Sequence, residues 1–502
     1  MLSFQIDGPT GRRYSYRELL TSIRNVSRAL LQRGFQKGDI LCVISENCCQ
    51  YPMAVHGAVS IGGILTTCNP RSTVDDIKHR LEQCRVRWIV TSSENIAKVR
   101  DAIRHIQTIK DIFVIGDTSF SALTSYKSNN EIDNDVAIDP RNDVAVMFYS
   151  SGTTGREKGI MVTHYNMTAH VCLHSHPSIA FSRSPGAEVY IAELPFCHSY
   201  GYWLFLYQCL ANGDTVVIYP RYNATRFVQS IQKYKATVLI VVPPIAVDIT
   251  QLAEAGDRTA FASVHTIISG AAPLSPDFLR KLKRLTGIRR VQTLYGMTET
   301  GPITMLKWDE DSTAGSVGCL ISNTECKVVN PQTGEELGPY QDGELLIRGP
   351  TVMKCYFTVS SQDDLDADGW LHTGDMVHYD STGRFYVVAR YKQIIKYKGT
   401  QVSPTYLENM LLTHPAVTDA AVIGLPDLRA GELPAAFVVL KAGSTATQAE
   451  IKDFVDEKVA PYNKLRGGVT FIEKVPRSPS GKILRRPLRD EAVRKLNIAS
   501  KL

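Results

Sequence analysis

Short β-branched runs alternate with helical segments along most of the chain, and this alternation is the feature that most limits its possible folds. Residues 15–34 have apolar positions at helical spacing, residues 39–45 form a short strand-like run, and residues 54–62 form a helix of small residues. The same texture returns in the middle of the chain, where apolar strands are predicted at 238–242 and 265–269. Neither a pure β fold nor a helical bundle has this order, so the sequence predicts α/β layers.

A chain of 502 residues is too long for one hydrophobic core, and about three or four folding units are expected. The texture changes to short strands and turns over residues 315–348, which predicts a small β unit. A charged segment begins at Arg390, and a fresh run of helices and strands follows it. We therefore predict a large N-terminal domain (1–389) of α/β-layered subdomains plus the small β unit, a connecting segment (390–396) with the boundary near Lys392, and a small α+β C-terminal domain (397–499).

The composition is that of an ordinary globular protein, with 44% hydrophobic and 21% charged residues. The net charge of +6 is small for this length, so we expect no nucleic-acid partner, although the charge suits a polyanionic cofactor. No apolar run reaches the length of a transmembrane segment, and none is expected. The eleven cysteines show no paired spacing typical of zinc sites or of a disulfide framework, which favours a reducing compartment.

Residues 149–159, which read YSSGTTGREKG, form the most distinctive loop. The glycines leave the backbone free to approach an anion, the hydroxyl groups can donate to phosphate oxygens, and Lys158 supplies positive charge. The loop is not a P-loop, because no Gly-Lys-Ser/Thr closes it. At this point an anion-binding loop and a flexible surface turn are both open.

Four further stretches carry groups suited to the chemistry of phosphates. They are YGMTET (295–300) with Glu299, HTGD (372–375) with Asp375, the basic run from Arg390 to Lys398, and PRSPSGK (476–482) with Lys482. Each alone is ordinary: an exposed glutamate, an aspartate that caps a turn, a basic surface strand and a solvated lysine. Their order along one chain is not ordinary.

In order and character, these five stretches resemble those of the adenylate-forming superfamily, which includes acyl- and aryl-CoA ligases, firefly luciferase and peptide-synthetase adenylation domains. The resemblance extends from about Phe4 to Arg489. The 4-coumarate–CoA ligase and luciferase branch is the most similar one, on the stretches LPFCHSYG (194–201), SGAAPLS (269–275), LYGMTETGP (294–302) and IKYKGTQVSP (395–404).

The resemblance implies an acid–thiol ligase that uses ATP, Mg²⁺ and coenzyme A. In such enzymes a carboxylic acid attacks the α-phosphate of ATP, pyrophosphate leaves, and an acyl-adenylate forms. The thiol of coenzyme A then attacks this mixed anhydride to give a thioester and AMP. The first step is an in-line displacement at phosphorus, so positioning and charge neutralisation are expected to supply most of the catalysis.

The resemblance also implies which residues bind the nucleotide. The expected clamp for the β- and γ-phosphates consists of Ser150, Ser151, Gly152, Thr153, Thr154, Gly155 and Lys158. Glu299 is similar to the Mg²⁺ carboxylate, a hard ligand for a hard cation, and Thr298 to the residue that contacts the α-phosphate. Asp375 and Arg390 resemble the ribose-binding pair. The expected adenine slot consists of Gly270, Ala271, Ala272 and Tyr295, with Gly296 beside it.

Lys482 resembles the catalytic lysine that bridges the substrate carboxylate and the α-phosphate, where it stabilises charge that develops in the transition state. The resemblance implies a mobile C-terminal domain that rotates about a hinge at Lys392 between the two steps. Lys396 and Gly399 are then expected to face the site, with Gly399 beside the pantetheine channel. The chain departs from the family pattern at Gln393, where an acidic residue is usual, and at Tyr406, where glutamate is usual, while Glu408 is kept.

The resemblance places His198 on the acyl and thiol side of the pocket. The full expected acyl lining is His198, Tyr202, Trp203, Gly270, Ala271, Gly296, Met297 and Ile303. This lining is apolar and partly aromatic, which suits a medium-chain fatty acid or an arylpropenoic acid. Two other functions remain open: a luciferase-type oxygenase acting on an adenylated luciferin, and a non-catalytic nucleotide- or acyl-binding protein. A non-catalytic protein need not keep charged groups at the five motif positions, so their presence argues against that function. They are Lys158, Glu299, Asp375, Arg390 and Lys482.

The final tripeptide, Ser500-Lys501-Leu502, matches the peroxisomal address SKL. It predicts a peroxisomal enzyme that binds the import receptor through this tripeptide. The alternative is a frayed polar tail.

Overall fold

The computed structural model describes residues 4–127, 136–150, 158–176, 186–256, 258–271, 274, 276–307, 310, 315–357, 365–398, 400–427, 430–478 and 481–499. The helices in these ranges are α1 (Tyr16–Gln32), α2 (Tyr51–Val59), α3 (Val74–Gln83), α4 (Ile96–Ile103), α5 (Thr118–Thr124), α6 (His164–His174), α7 (Ser199–Trp203), α8 (Cys209–Asn212), α9 (Ala224–Tyr234), α10 (Pro243–Ala255), α11 (Pro276–Thr286), α12 (Pro404–Leu412), α13 (Gln448–Asp456) and α14 (Arg485–Ala499). A π-helical turn, Leu204–Gln208, joins α7 to α8.

The strands in the same ranges are β1 (Phe4–Asp7), β2 (Arg13–Ser15), β3 (Ile40–Ile44), β4 (Ile64–Thr67), β5 (Trp88–Ser92), β6 (Asp111–Ile115), β7 (Val144–Ser150), β8 (Lys158–Thr163), β9 (Val189–Ala192), β10 (Thr215–Ile218), β11 (Val238–Val241), β12 (Thr266–Ser269), β13 (Arg290–Met297), β14 (Gly301–Met305), β15 (Cys319–Leu320), β16 (Glu325–Val329), β17 (Gly343–Arg348), β18 (Cys355–Phe357), β19 (Leu371–Tyr379), β20 (Phe385–Arg390), β21 (Ile395–Tyr397), β22 (Thr400–Val402), β23 (Val417–Asp427), β24 (Gly431–Leu440) and β25 (Val469–Phe471).

Helix α1 shows how local sequence sets these elements. Ser15 caps it by accepting a hydrogen bond from the backbone N–H of Glu18, whose carboxylate returns one to the N–H of Ser15, so a capping box fixes the first turn. Its apolar face, which includes Val26 and Leu30, is buried and packs against α2. Because Gly57 of α2 has no side chain, the two helices approach closely there, and Gly57 lies directly against Val26.

Two large sheets form the body of the N-terminal part, and most of their neighbouring strands are parallel. One has nine strands in the order β15-β14-β13-β12-β11-β9-β10-β1-β2, and the other has seven in the order β18-β8-β7-β4-β3-β5-β6. A continuous cluster of buried side chains joins the helices and strands of both sheets. Antiparallel strands at one side of each sheet, β13–β14 and β7–β8, carry the motifs singled out in the sequence.

A four-stranded antiparallel sheet, ordered β16-β17-β19-β20, is the predicted small β unit. Its last two strands bring Asp375 opposite Arg390 in register. Asp375 lies within β19, directly after Gly374, whose φ is +67°. The motif at 295–300 is likewise partly strand, because β13 runs through Met297 before it turns into β14.

The C-terminal part has its own sheet, β22-β21-β24-β23 with β25 beside β24, and its own buried cluster around Val402, Leu407 and Val438. Arg485 donates to both carboxylate oxygens of Glu408, at 2.7 and 2.8 Å, and to Gln393 Oε1 at 3.2 Å. The amide of Gln393 therefore satisfies the arginine where an acidic residue is usual.

The predicted α/β class, with a large N-terminal and a smaller C-terminal domain, is confirmed, while the exact hinge boundaries stay a prediction. Within the described ranges, every helix is too short or too polar to cross a bilayer.

Candidate active site

A cleft of about 2310 Å³ lies between the N-terminal sheets and the C-terminal part. The motif residues that line it are Lys158, His198, Ala271, Tyr295, Gly296, Thr298, Glu299, Asp375, Arg390 and Lys482. Groups separated by more than three hundred positions in the sequence thus meet at one surface. Strand ends from both large sheets and from the small β unit position most of these residues, and the C-terminal part adds Lys482.

The loop that is predicted to bind phosphate connects two paired strands. Ser150 at the end of β7 is opposite Lys158 at the start of β8. Residues 151–157, with the predicted Ser151, Gly152, Thr153, Thr154 and Gly155, lie outside the described residues, as does the side chain of Ser150. The strand pairing returns the chain from Ser150 to Lys158, so both ends of the loop are fixed beside the cleft.

Tyr356 connects this loop to Glu299, and the sequence analysis missed it. Its ring lies 4.6 Å from the Nζ atom of Lys158, and its hydroxyl donates to Glu299 Oε1 at 3.0 Å. Tyr356 belongs to β18, which pairs with β8 at the edge of the seven-stranded sheet. Only this long-range pairing relates the tyrosine to the motifs, and no local pattern around residue 356 indicates it.

Glu299 is buried in the connection between β13 and β14. Its backbone carbonyl accepts from the N–H of Met353 at 2.8 Å, which holds the turn in place. The neighbouring Thr298 Oγ1 accepts from Ser199 Oγ at 3.3 Å. Gly296 is required for this geometry, because a Cβ there would lie 2.2 Å from the carbonyl oxygen of Gly301 on the paired strand.

Asp375, Arg390 and Tyr295 form one hydrogen-bonded group. The buried Asp375 carboxylate accepts from Arg390 Nε at 2.9 Å and from the Tyr295 hydroxyl at 2.7 Å. The charge of Asp375 raises the pKa of Arg390, while burial and then Asp375 raise the pKa of Tyr295 well above its usual value. The two hydrogen bonds hold the Asp375 carboxylate in one orientation as an acceptor, as recognition of hydroxyl groups requires.

Lys482 reaches the same end of the cleft from the C-terminal part. Its side chain is open to solvent, yet the surrounding protein lowers its pKa, first through desolvation and then through the positive charge of Arg390. Glu299 and Asp375 act in the opposite direction and favour the charged form. An ammonium group is thus placed among the two buried carboxylates and the arginine.

His198 is the N-cap residue of α7, and its side chain lies deep in the cleft. Burial, together with the positive charges of Arg80 and Lys482, lowers the pKa of His198 to about 4. The imidazole is therefore neutral at physiological pH, and its Nε2 atom has no hydrogen-bond partner among the described residues.

Gly270 and Ala271 lie on the carboxyl side of β12, where the adenine slot was predicted. A Cβ on Gly270 would meet Leu294 Cδ1 at 3.0 Å and the ring of Tyr200 at 3.2 Å, so a larger residue would displace both side chains. Ala271 lines the cleft with a φ of +72°, whereas Gly270 does not line it. Ala272 lies outside the described residues.

Lys396 is not part of this arrangement. It is exposed, its Nζ atom lies 5.8 Å from the ring of Tyr391, and it does not line the cleft. Gly399 lies outside the described residues. The cleft thus contains Lys482 of the C-terminal part, and Lys396 does not line it.

The predicted acyl lining needs correction at three positions. Tyr202 and Ile303 are buried behind the wall, where they pack with other apolar side chains, and Gly270 is covered by Leu294 and Tyr200. Polar side chains that the sequence analysis missed line the cleft instead; they are His170, His174 and Gln208. The pocket is therefore less apolar than expected.

In the part of the chain that the structure describes, no group of three or more His, Cys, Asp or Glu residues could hold a metal ion. A single buried carboxylate, Glu299, is compatible with Mg²⁺, which usually keeps several waters and is held by one or two carboxylates plus substrate phosphates.

Comparisons with known proteins agree on one family. The model of the AMP-binding enzyme family matches residues 3–357, and that of its C-terminal domain matches residues 406–482. The chain is 34% identical to the probable 4-coumarate–CoA ligase 1 of Dictyostelium discoideum, over 97% of this chain and 91% of the relative. It is 35% identical to the peroxisomal OPC-8:0-CoA ligase 1 of Arabidopsis thaliana, over 96% and 89% of the two chains.

Solved structures agree as well. ATP-bound MatB from Rhodopseudomonas palustris has a TM-score of 0.89 and 25% identity, covering 97% of this chain and 95% of that one. The o-succinylbenzoate CoA synthetase MenE of Bacillus subtilis, in complex with its acyl-adenylate intermediate, has a TM-score of 0.84 and 26% identity, covering 97% and 95% of the two chains.

Proposed function

The chain belongs to the AMP-binding enzyme family, and we propose that its cleft joins a hydrophobic carboxylic acid to coenzyme A through the residues described above. The chain is an ATP-dependent acid–CoA ligase that forms an acyl-adenylate, with ATP and coenzyme A as co-substrates. The observation that carries the residue assignment is the meeting of Lys482 with Glu299, Asp375 and Arg390 at one end of the cleft.

The nucleotide is held by two groups of residues. Asp375, fixed by Arg390 and Tyr295, accepts hydrogen bonds from the ribose hydroxyls. Lys158 and the loop that it closes bind the β- and γ-phosphates, and Thr298 contacts the α-phosphate. Glu299, oriented by Tyr356, would hold the Mg²⁺ that accompanies ATP, and the ion would neutralise phosphate charge.

Adenylation then depends on Lys482. The acid carboxylate attacks the α-phosphorus, the bond to the pyrophosphate oxygen breaks, and pyrophosphate departs with the electron pair. Lys482 neutralises the charge shared by the carboxylate and the α-phosphate in the transition state.

Thioester formation requires another arrangement. Lys482 lies in the cleft and Lys396 is exposed outside it, which is the arrangement expected for the adenylating state. We propose that the C-terminal part rotates near Lys392 after adenylation, which removes Lys482 and brings Lys396 and Gly399 to the site. The neutral His198 lies on the acyl side, where it favours approach of the thiol.

The acid is proposed to be hydrophobic and of medium length or aromatic. The lining includes Trp203, Leu204 and Met297, and the names of relatives refer to 4-coumarate and OPC-8:0 as substrates. Such a pocket discriminates by only about 1–3 kcal/mol per methylene group, so several related acids are expected to react.

Acid-dependent exchange of labelled pyrophosphate into ATP tests this function. A panel of fatty and arylpropenoic acids is supplied with Mg²⁺, and exchange is expected with at least one class and none without acid. Addition of coenzyme A should then give a thioester and AMP. Absence of exchange across the whole panel would contradict the proposal, and light emission with oxygen in place of thioester would support a luciferase-type oxygenase.

We also propose peroxisomal targeting through Ser500-Lys501-Leu502, which lie outside the described residues. A relative with a peroxisomal name supports this location. A fluorescent protein fused ahead of the full chain should accumulate in peroxisomes, and removal of the tripeptide should leave it in the cytosol. An unchanged distribution would contradict the proposal.

A further inference from the structure

Strand β20, whose last residue lines the cleft, contains a β-bulge. It is the last strand of the four-stranded sheet and pairs with β19. Met376 of β19 lies opposite Ala389, but the next residue, Val377, lies opposite Val387. The residue between them, Val388, has no partner in this register. Since the extra residue of a bulge is left outside the ladder, its carbonyl group needs a hydrogen-bond partner from elsewhere.

Ser403 supplies this partner from the C-terminal part. Its hydroxyl donates to the Val388 carbonyl oxygen at 2.6 Å. The same hydroxyl oxygen accepts from the backbone N–H of Tyr406 at 3.3 Å, so Ser403 is also the N-cap of α12. Helix α12 and strand β20 are in contact. One hydroxyl group thus joins the start of a C-terminal helix to the small β unit.

This hydrogen bond crosses the predicted hinge. Val388 precedes Lys392 and Ser403 follows it, so a rotation near Lys392 would separate the hydroxyl from the carbonyl. The contact of Arg485 with Gln393 is different, because both residues follow Lys392 and would move together. The bond between Ser403 and Val388 therefore depends on the orientation of the C-terminal part.

The orientation in which this bond forms is the one that places Lys482 in the cleft. Lys482 lines the cleft together with Glu299 and Asp375. Arg390 lines it as well and lies two residues after Val388 on β20. A hydrogen bond between the start of α12 and β20 therefore favours this arrangement over one in which the C-terminal part has turned away.

We propose that Ser403 is a positioning residue for adenylation: its bond to Val388 holds the C-terminal part where Lys482 can act, and this bond breaks before thioester formation. The inference rests on the proposed function and on the proposed rotation. Ser403 touches no reacting atom and acts through Lys482. One neutral hydrogen bond shifts an equilibrium by about 2- to 12-fold, so it biases the two orientations without trapping either.

Three substitutions separate the two roles of the Ser403 hydroxyl. Ser403→Asp keeps an acceptor for the helix cap, but its carboxylate has no proton to donate to the Val388 carbonyl. Ser403→Thr keeps both the donor and the acceptor, and Ser403→Ala removes both. Thr447→Ala is the matched control, because Thr447 caps α13 by accepting from the N–H of Glu450, entirely within the C-terminal part.

Both half-reactions are measured on each variant, with an acid that the wild type activates. Adenylation is followed as acid-dependent pyrophosphate exchange, and thioester formation starts from preformed acyl-adenylate and coenzyme A. The ratio of the thioester rate to the adenylation rate should rise by about 2- to 12-fold in Ser403→Ala and at least as much in Ser403→Asp. The ratio should stay close to the wild-type value in Ser403→Thr and Thr447→Ala.

Thermal unfolding of the same variants detects the loss of a helix cap. Ser403→Ala and Thr447→Ala should both be less stable than the wild type, whereas Ser403→Asp should be affected less. A change of ratio in Ser403→Asp is therefore not explained by a weakened α12.

A wild-type ratio in Ser403→Asp would overturn this inference and leave the ligase function standing. So would an equal loss in both half-reactions of that variant, which would indicate a structural defect and not a change of orientation. Absence of exchange in the wild type with every acid of the panel would instead contradict the proposed function itself.

Discussion

Replacement of Tyr356 by phenylalanine tests the electrostatics of the phosphate end. The tyrosine hydroxyl donates to Glu299 Oε1 at 3.0 Å, and its ring lies 4.6 Å from Lys158 Nζ. Phenylalanine keeps the ring and removes only the donor. A hydrogen bond to a charged group contributes about 1.5–3 kcal/mol, which corresponds to roughly a 10- to 150-fold loss in kcat/KM for Mg-ATP.

Tyr356→Leu removes the ring as well, and with it the cation–π contact of Lys158. That contact is worth about 0.5–2 kcal/mol, so the leucine variant should be roughly 2- to 30-fold worse than the phenylalanine variant. Pyrophosphate exchange at varied Mg²⁺ concentration measures the loss of kcat/KM for Mg-ATP in each variant. The KM for the acid should change little. If Tyr356→Phe matched the wild type, or if both variants were equally impaired, the separate roles of hydroxyl and ring would be refuted.

Two further predictions concern the frame of the site. Gly296→Ala should abolish most activity and lower the free energy of unfolding, because its Cβ would lie 2.2 Å from the Gly301 carbonyl oxygen. The nearest contact of a Cβ in Gly270→Ala would be 3.0 Å, so this variant should lose less activity and less stability. Stability should also depend on pH, because the pKa of His56, His174 and His198 is lowered to about 4. Below about pH 6.5 the unfolded state takes up protons that the folded state does not. The free energy of unfolding is therefore highest above this pH and falls progressively as the pH decreases toward 4. Urea unfolding across this range measures how steeply the free energy of unfolding depends on pH. His56→Gln should reduce this dependence, and a wild-type stability that did not change with pH would contradict the prediction.

The sequence predicted the fold class and the motifs well, because both depend on local patterns. The capping residue Ser15 and the apolar spacing after it indicate α1, and the β-branched runs indicate strands such as β11 and β12. The five charged or glycine-rich stretches were recognisable as a set because their order is typical of one superfamily. All five contribute residues to a single cleft.

What the sequence did not predict depends on pairing between distant strands. Asp375 lies in β19 because the neighbouring strands β17 and β20 hold it there, and no short-range signal distinguishes this strand from a turn. Tyr356 reaches Glu299 only through the pairing of β18 with β8.

The polar residues that line the cleft were missed for a related reason. In a regular helix Tyr202 would be as good a lining residue as Trp203, and the π-helical turn that places Gln208 on the cleft has no recognisable sequence pattern. His170 lies on a different helix, α6, and only the packing of the two helical segments brings its ring against Trp203.

The most direct test of the account compares the two half-reactions in Lys482→Ala. The rate of adenylation, measured as acid-dependent pyrophosphate exchange, should fall by about 100-fold or more, because the positive charge that neutralises the transition state is lost. Thioester formation from preformed acyl-adenylate and coenzyme A should remain close to the wild-type rate. If both half-reactions fell to the same degree, or if neither fell, the cleft that contains Lys482, Glu299 and Asp375 would not be the adenylating site.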